Sequence, residues 1–110
     1  MIVLNSKILT LLGFAAKAGK LSFGLDTCIQ ALKENKSFLV VTAEDISPKT
    51  LKEATFFAQK SGVKLITPKG VDIFTISNAV GRKCGVISVN DKGFAEAICL
   101  NFVGGNANDE

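Results

Sequence analysis

One apolar run constrains this chain more than any other stretch. "SFLVVTA", residues 37–43, is β-branched and of strand length, and it lacks apolar–polar alternation. A strand with that pattern is buried on both faces, so a covering layer is needed on each side of the sheet that contains it. The neighbouring sequence supplies such layers. After Asn5 or Ser6 as N-cap, Ile8, Leu11, Leu12 and Ala15 recur at helical spacing, and Gly19 suits the left-handed end of that helix. An extended piece at 21–23 leads into a second helix, whose stripe of Leu25, Cys28, Ile29 and Leu32 runs toward Asn35. Ser47 as N-cap and Pro48 at the first helical position open a third, with Leu51, Ala54, Phe57 and Ala58 inward and Gly62 at its end.

The remainder repeats the alternation. "VKLIT" reads as a strand closed by Pro68 and Gly70. Asp72 caps a fourth helix with Ile73, Ile76 and Val80 inward and Gly81 at its end. "CGVISV" is another strong strand, and Asp91 begins a last helix through Phe94, Ala97 and Ile98. At 110 residues, 47% of them apolar, the chain can bury one sizeable core. The expected architecture is a single α/β domain, a three-layer α/β/α sandwich around a small, mainly buried sheet, with right-handed crossovers. That domain is expected over residues 1–103, with "VGGNANDE" ending the chain and 104–110 as a flexible tail.

Composition removes several functions. The chain has no His, Tyr or Trp, which excludes His-activated Ser or Cys nucleophiles and any histidine metal site. Cys28, Cys84 and Cys99 lack CxxC spacing and lie among apolar neighbours, so they read as reduced, small hydrophobes. No apolar run approaches the roughly 18 residues of a membrane span, and the N-terminus carries no secretion signal. A soluble, cytoplasmic protein without membrane association is expected. Formal charge is +3. Its distribution is uneven: Lys7, Lys17 and Lys20 stand in an acid-free first 25 residues, Arg82 and Lys83 form a second basic point, and Asp109 and Glu110 lower the total from the tail.

In sheets covered on both faces, ligands usually meet loops and helix N-termini at one strand edge, which directs attention to 17–27, 43–48, 67–72 and 81–84. "GFAAKAGK", residues 13–20, is not a phosphate loop: its glycines are misspaced, Leu21 follows where Ser or Thr is needed, and the segment ends a helix. Glu44 and Asp45 resemble a magnesium-holding pair, but a third carboxylate at the next strand end is missing and Thr67 and Pro68 stand there. The pair instead suits the helix that follows it, through the helix dipole. "FGLDTCIQAL", residues 23–32, is more informative. Gly24 opens a helix start where backbone N–H groups can meet an anion or base edge, and Asp26, Thr27 and Gln30 point outward from the first turns. Lys17 and Lys20 lie just upstream as phosphate partners. The plain alternative is that Asp26 complements the dipole and its neighbours are solvated.

The stretch "KAGKLSFGLDTCIQALKENKSFLVVTAEDISP", with "GVKLI" and "ISNAVGRKCGVISV", resembles the kink-turn RNA-binding superfamily of ribosomal proteins, the L-seven-Ae / L-thirty-e family, and within it the bacterial YlxQ-type branch. The resemblance spans about residues 5 to 98, with "AEDISP" its most specific element. It implies an α/β/α sandwich that binds structured RNA, ribosomal RNA foremost, with no cofactor, no metal and no catalysis. It further implies that Gly24 takes the place of a conserved glycine at the groove of a kinked duplex. Asp26, Thr27 and Gln30 take the places of an Asn, a Glu and a Lys that contact guanines. Gly81, Arg82 and Lys83 take those of a loop that packs on extruded bases, shortened here. Only the glycine is kept. Asp26 repels phosphate and Gln30 forfeits a charge-assisted bond to guanine, each costing about 1 to 3 kcal/mol of discrimination. The expected function is non-catalytic RNA binding through Lys17, Lys20, Gly24, Asp26, Thr27, Gln30, Arg82 and Lys83. A protein-interaction module of the translation machinery using the same edge is the second reading, with ribosomal or translation proteins as partners. A magnesium-dependent phosphoacceptor is the third.

Overall fold

The alternation becomes five helices and four strands among residues 5–102, which the computed structural model describes. The expected tail, 104–110, and residues 1–4 lie outside them. In chain order the elements are α1 (Ser6–Lys17), β1 (Leu21–Phe23), α2 (Leu25–Lys33), β2 (Leu39–Thr42), α3 (Pro48–Lys60), β3 (Leu65–Ile66), α4 (Ile73–Val80), β4 (Val86–Val89) and α5 (Lys92–Leu100). Local chemistry sets most boundaries. Ser47 Oγ accepts from Thr50 N–H at 3.1 Å, Asp72 Oδ1 from Thr75 N–H at 2.8 Å, and Asp91 Oδ2 from Phe94 N–H at 2.8 Å. Each satisfies a donor the helix cannot pair itself. Asn5 holds the expected N-cap position, but without a side-chain cap bond. It adopts a left-handed conformation, φ 61°, and its side chain donates to Lys69 O at 3.0 Å rather than capping α1.

The sheet has the order β1-β4-β2-β3. Crossovers of the expected kind give parallel neighbours, and only β2 and β3 are parallel; β4 runs antiparallel to both β1 and β2. The reason lies in the connection before β4. The loop after α4 delivers the chain to the edge where β2 finishes, and Ala43 N–H donates to Gly85 O there at 2.9 Å. From that point β4 can only run back.

Helices cover both faces, as a doubly buried β2 requires. On one face Ile8 and Leu12 of α1, Ile76 of α4 and Ile98 of α5 meet Leu39, Val41, Ile87 and Val89. On the other, Cys28 and Leu32 of α2 and Ala54 and Ala58 of α3 meet Val40 and Val86. Fully burying one such aliphatic chain contributes about 1.5 to 3 kcal/mol. Polar groups on the α2 side are paired. Ser88 Oγ donates to Asn90 Oδ1 at 2.6 Å, Asn90 Nδ2 donates to Ser22 Oγ at 2.8 Å, and the Thr42 and Thr67 hydroxyls bond at 2.7 Å. These bonds stitch β1 to β4 and β2 to the end of β3. Among the described residues, no helix is long and apolar enough to cross a membrane.

Candidate nucleic-acid interface

Strand directions decide which loops can act together. β1, β2 and β3 all end on one edge of the sheet and β4 begins there, which gathers Phe23–Gly24, Ala43–Asp45, Thr67 and the loop 81–85. Gly24 N–H donates to Val86 O at 2.8 Å, fixing the start of α2 to the start of β4. The backbone at Gly24 has φ 92° and ψ 159°, a region that is essentially glycine-only. That torsion turns the chain abruptly from β1 into α2. No side chain caps the helix, and a Cβ placed on Gly24 would meet no atom within 4 Å, so the space above the turn is open. The N-terminal end of α2 thus offers a partial positive charge to an approaching group.

From this start Asp26, Thr27 and Gln30 project into solvent, while Cys28, Ala31 and Leu32 form the buried underside. The Cys28 thiol donates weakly to Ser22 O at 3.7 Å. Burial, and then the neighbouring Cys84, push its pKa up to about 12, so it remains a neutral packing group. Gln30 is not wholly free: its amide donates to the Glu34 carboxylate one turn on. That bond, and next Lys36 at 3.1 Å, hold the Glu34 carboxyl below the usual range. The exposed side of α2 therefore carries Asp26, Thr27, Gln30 and Glu34, with no cation before Lys33.

Positive charge reaches this edge from another element. α4 ends at Gly81 in a left-handed conformation, φ 77°, and Ser77 clamps the following loop: Cys84 N–H donates to its Oγ at 3.0 Å, and that hydroxyl donates to Cys84 O at 3.2 Å. Arg82 and Lys83 are left exposed. The Arg82 guanidinium lies over the Phe23 ring, 4.9 Å from its centroid, a cation–π contact one residue before Gly24. Phe23 was not among the residues expected at the site. Its only sequence signal was an aromatic ending a short extended stretch, and its partner Arg82 lies far away in sequence.

Lys20 is placed elsewhere, whereas Lys17 lines a surface cleft with Ala79, near the end of α4. Both are exposed, but Lys20 precedes β1 and its carbonyl accepts from Asn90 N–H at 2.8 Å, at the end of β4. Three residues of extended chain, a span of about 13 Å, separate it from Gly24. Sequence proximity suggested a shared site, and the strand between them carries the two positions to opposite edges.

Glu44 and Asp45 also differ from expectation. Their hydrogen bonds go elsewhere than to the helix that follows them: Glu44 Oε1 accepts from Gly70 N–H, in the loop before α4, at 3.2 Å, and Asp45 Oδ1 from Ile73 N–H, the first residue of α4, at 2.8 Å. Among the described residues, no group of three or more potential ligands could hold a metal ion. Asp45→Ala is expected to lower stability in urea denaturation by about 1 kcal/mol, the usual cost of a lost cap. Added magnesium should shift neither protein's midpoint. A magnesium-dependent midpoint lost in the variant would restore the metal reading.

Comparison with known proteins places this architecture among relatives. Residues 6–98 match the family model described as "Ribosomal protein L7Ae/L30e/S12e/Gadd45 family". The large ribosomal subunit protein eL30 of Euphorbia esula is 29% identical over 89 residues, 79% of this chain and 79% of its own. Among solved structures, a protein of unknown function from Bacillus halodurans superposes with a TM-score of 0.81 at 25% identity, covering 86% of this chain and 95% of that one. The Giardia lamblia 15.5kD RNA binding protein gives 0.73 at 15% identity, covering 86% and 80%, a likeness of fold.

Proposed function

Because the chain belongs to the ribosomal protein L7Ae/L30e/S12e/Gadd45 family, we propose that it is a non-catalytic, cytoplasmic RNA-binding protein that holds a structured, kink-turn-like element, ribosomal RNA foremost. The observation that carries the reading is the convergence of the open start of α2 at Gly24 with Arg82 stacked on Phe23. A cation thus stands beside uncapped backbone donors, an arrangement suited to a phosphate flanking readable base edges. The ribosomal role of eL30 and the RNA-binding description of the Giardia protein agree with it.

In this reading Arg82 and Lys83 meet phosphates and Gly24 permits close approach. Asp26, Thr27 and Gln30 face base edges, Asp26 accepting from guanine N–H groups and Gln30 through its amide oxygen while its NH₂ stays on Glu34. Lys20 reaches phosphates only of an RNA arm that continues past β1 to the other edge, and Lys17 meets phosphate from beside Ala79 at the end of α4. Crosslinking in cells followed by sequencing of the attached RNA tests class and target together. Reads concentrated at kinked helical elements of ribosomal RNA are the expected result. A partner protein retained through nuclease treatment, with no crosslinked RNA, would turn the same edge into a protein-docking surface.

A further inference from the structure

Resting on the RNA reading above, we propose that the outer face of α3 is a second RNA contact, one that tracks an unpaired strand leaving the structured element. α3 lies beside α2 on the same face of the sheet, and both helices start from the same strand edge. The exposed side of α2 is polar and acidic. The exposed side of α3 is mainly cationic. Lys49, Lys52, Phe56 and Lys60 recur at three- and four-residue spacing, which places them on one stripe, and all four are exposed. The stripe points away from the buried Ala54 and Ala58 and runs about 16 Å along the axis, enough for several nucleotides. Glu53 is the single acid of the helix, and among the described residues no ion pair engages the three lysines.

Phe56 separates this surface from an ordinary solubilising one. Its ring is 58% exposed between the lysines, and it is braced: Phe57 meets it in a T-shaped contact at 5.1 Å, while Lys33 of α2 lies over Phe57 at 5.5 Å. Solubility alone needs no aromatic ring held out in the middle of a cationic stripe. Cations interleaved with an exposed aromatic are what a single strand requires, because phosphates follow the charges and a base stacks on the ring irrespective of sequence. A duplex could use the lysines but has no free base for Phe56. The cations missing from the reading face of α2 are, on this account, supplied one helix away.

The test measures fluorescence anisotropy of a kink-turn hairpin with and without an oligouridine extension. The unaltered protein is compared with K49A/K52A/K60A and with Phe56→Ala. The extension is expected to tighten binding by the unaltered protein roughly 5- to 100-fold, the range for a stacked base. Both variants should lose that gain yet bind the bare hairpin unchanged, and the triple variant should lower the salt slope for the extended RNA by roughly 2, about 0.7 per lysine. A bound hairpin with no gain from the extension, or a gain both variants keep, overturns this proposal and leaves the earlier reading standing. Binding of the extension without the hairpin does the reverse, and failure of both RNAs overturns both. A protein that co-purifies through nuclease treatment and is lost from the triple variant also overturns it, in favour of an acidic protein partner.

Discussion

Replacing Arg82 and Lys83 together by glutamate is expected to weaken binding of a kink-turn hairpin by about 100-fold or more at moderate salt and to lower the salt slope by about 2. The size follows from what the two residues supply. α2 brings no cation to the edge before Lys33, and the loop after α4 brings positive charge to the residue before Gly24, where Arg82 lies over Phe23. On the proposed function, the double substitution replaces two phosphate contacts by repulsion, which acts on every RNA alike, whatever its sequence. Folding should change little. Both side chains are exposed, the loop is held by Ser77 and Cys84 rather than by them, and the contact of Arg82 with Phe23 contributes only about 0.5 to 1 kcal/mol at such a site. Isothermal or anisotropy titration across a salt series, with urea denaturation alongside, separates the two effects. Unchanged affinity in a folded variant would remove this loop from the interface.

That prediction rests on a juxtaposition the sequence could not display. What was legible was local. The unbroken apolar run of β2 required cover on both faces, and the pairs Ser47–Thr50, Asp72–Thr75 and Asp91–Phe94 mark helix starts by capping chemistry acting over three residues. Strand direction is not local. The orientation of β4 depends on where the loop after α4 returns the chain, and with it goes the meeting of Arg82 with Phe23. The lysines show the converse. Lys20 and Gly24 are close in sequence, yet an extended backbone between them moves Lys20 to the opposite sheet edge, beside Asn90. The acidic pair shows a third kind: Asp45 precedes α3 but caps α4, because the ends of neighbouring strands bring the start of α4 within reach. Capping residues declare that a helix end needs a partner. They do not say which end.

Gly24 and Gly81 both have positive φ, and substituting each by asparagine should separate two kinds of glycine requirement. At Gly81, φ 77° and ψ 24° lie in the left-handed helical region, which asparagine enters more readily than other residues with a side chain. At Gly24, ψ is 159°, far outside that region, and any side chain is strained although its Cβ would meet no atom within 4 Å. Gly24→Asn and Gly24→Ala are therefore each expected to cost about 1 to 3 kcal/mol in urea denaturation, whereas Gly81→Asn should cost under about 1 kcal/mol. Relief of the strain at Gly24 requires rotation of the turn between β1 and α2. That rotation weakens the bond from Gly24 N–H to Val86 O and reorients the donors at the start of α2. RNA affinity should consequently fall in both Gly24 variants even when each is fully folded at assay temperature, and Gly81→Asn should bind as the parent does. Equal stability costs at the two positions would show that torsion is not what selects glycine at the start of α2. The open approach to that helix would then need another explanation.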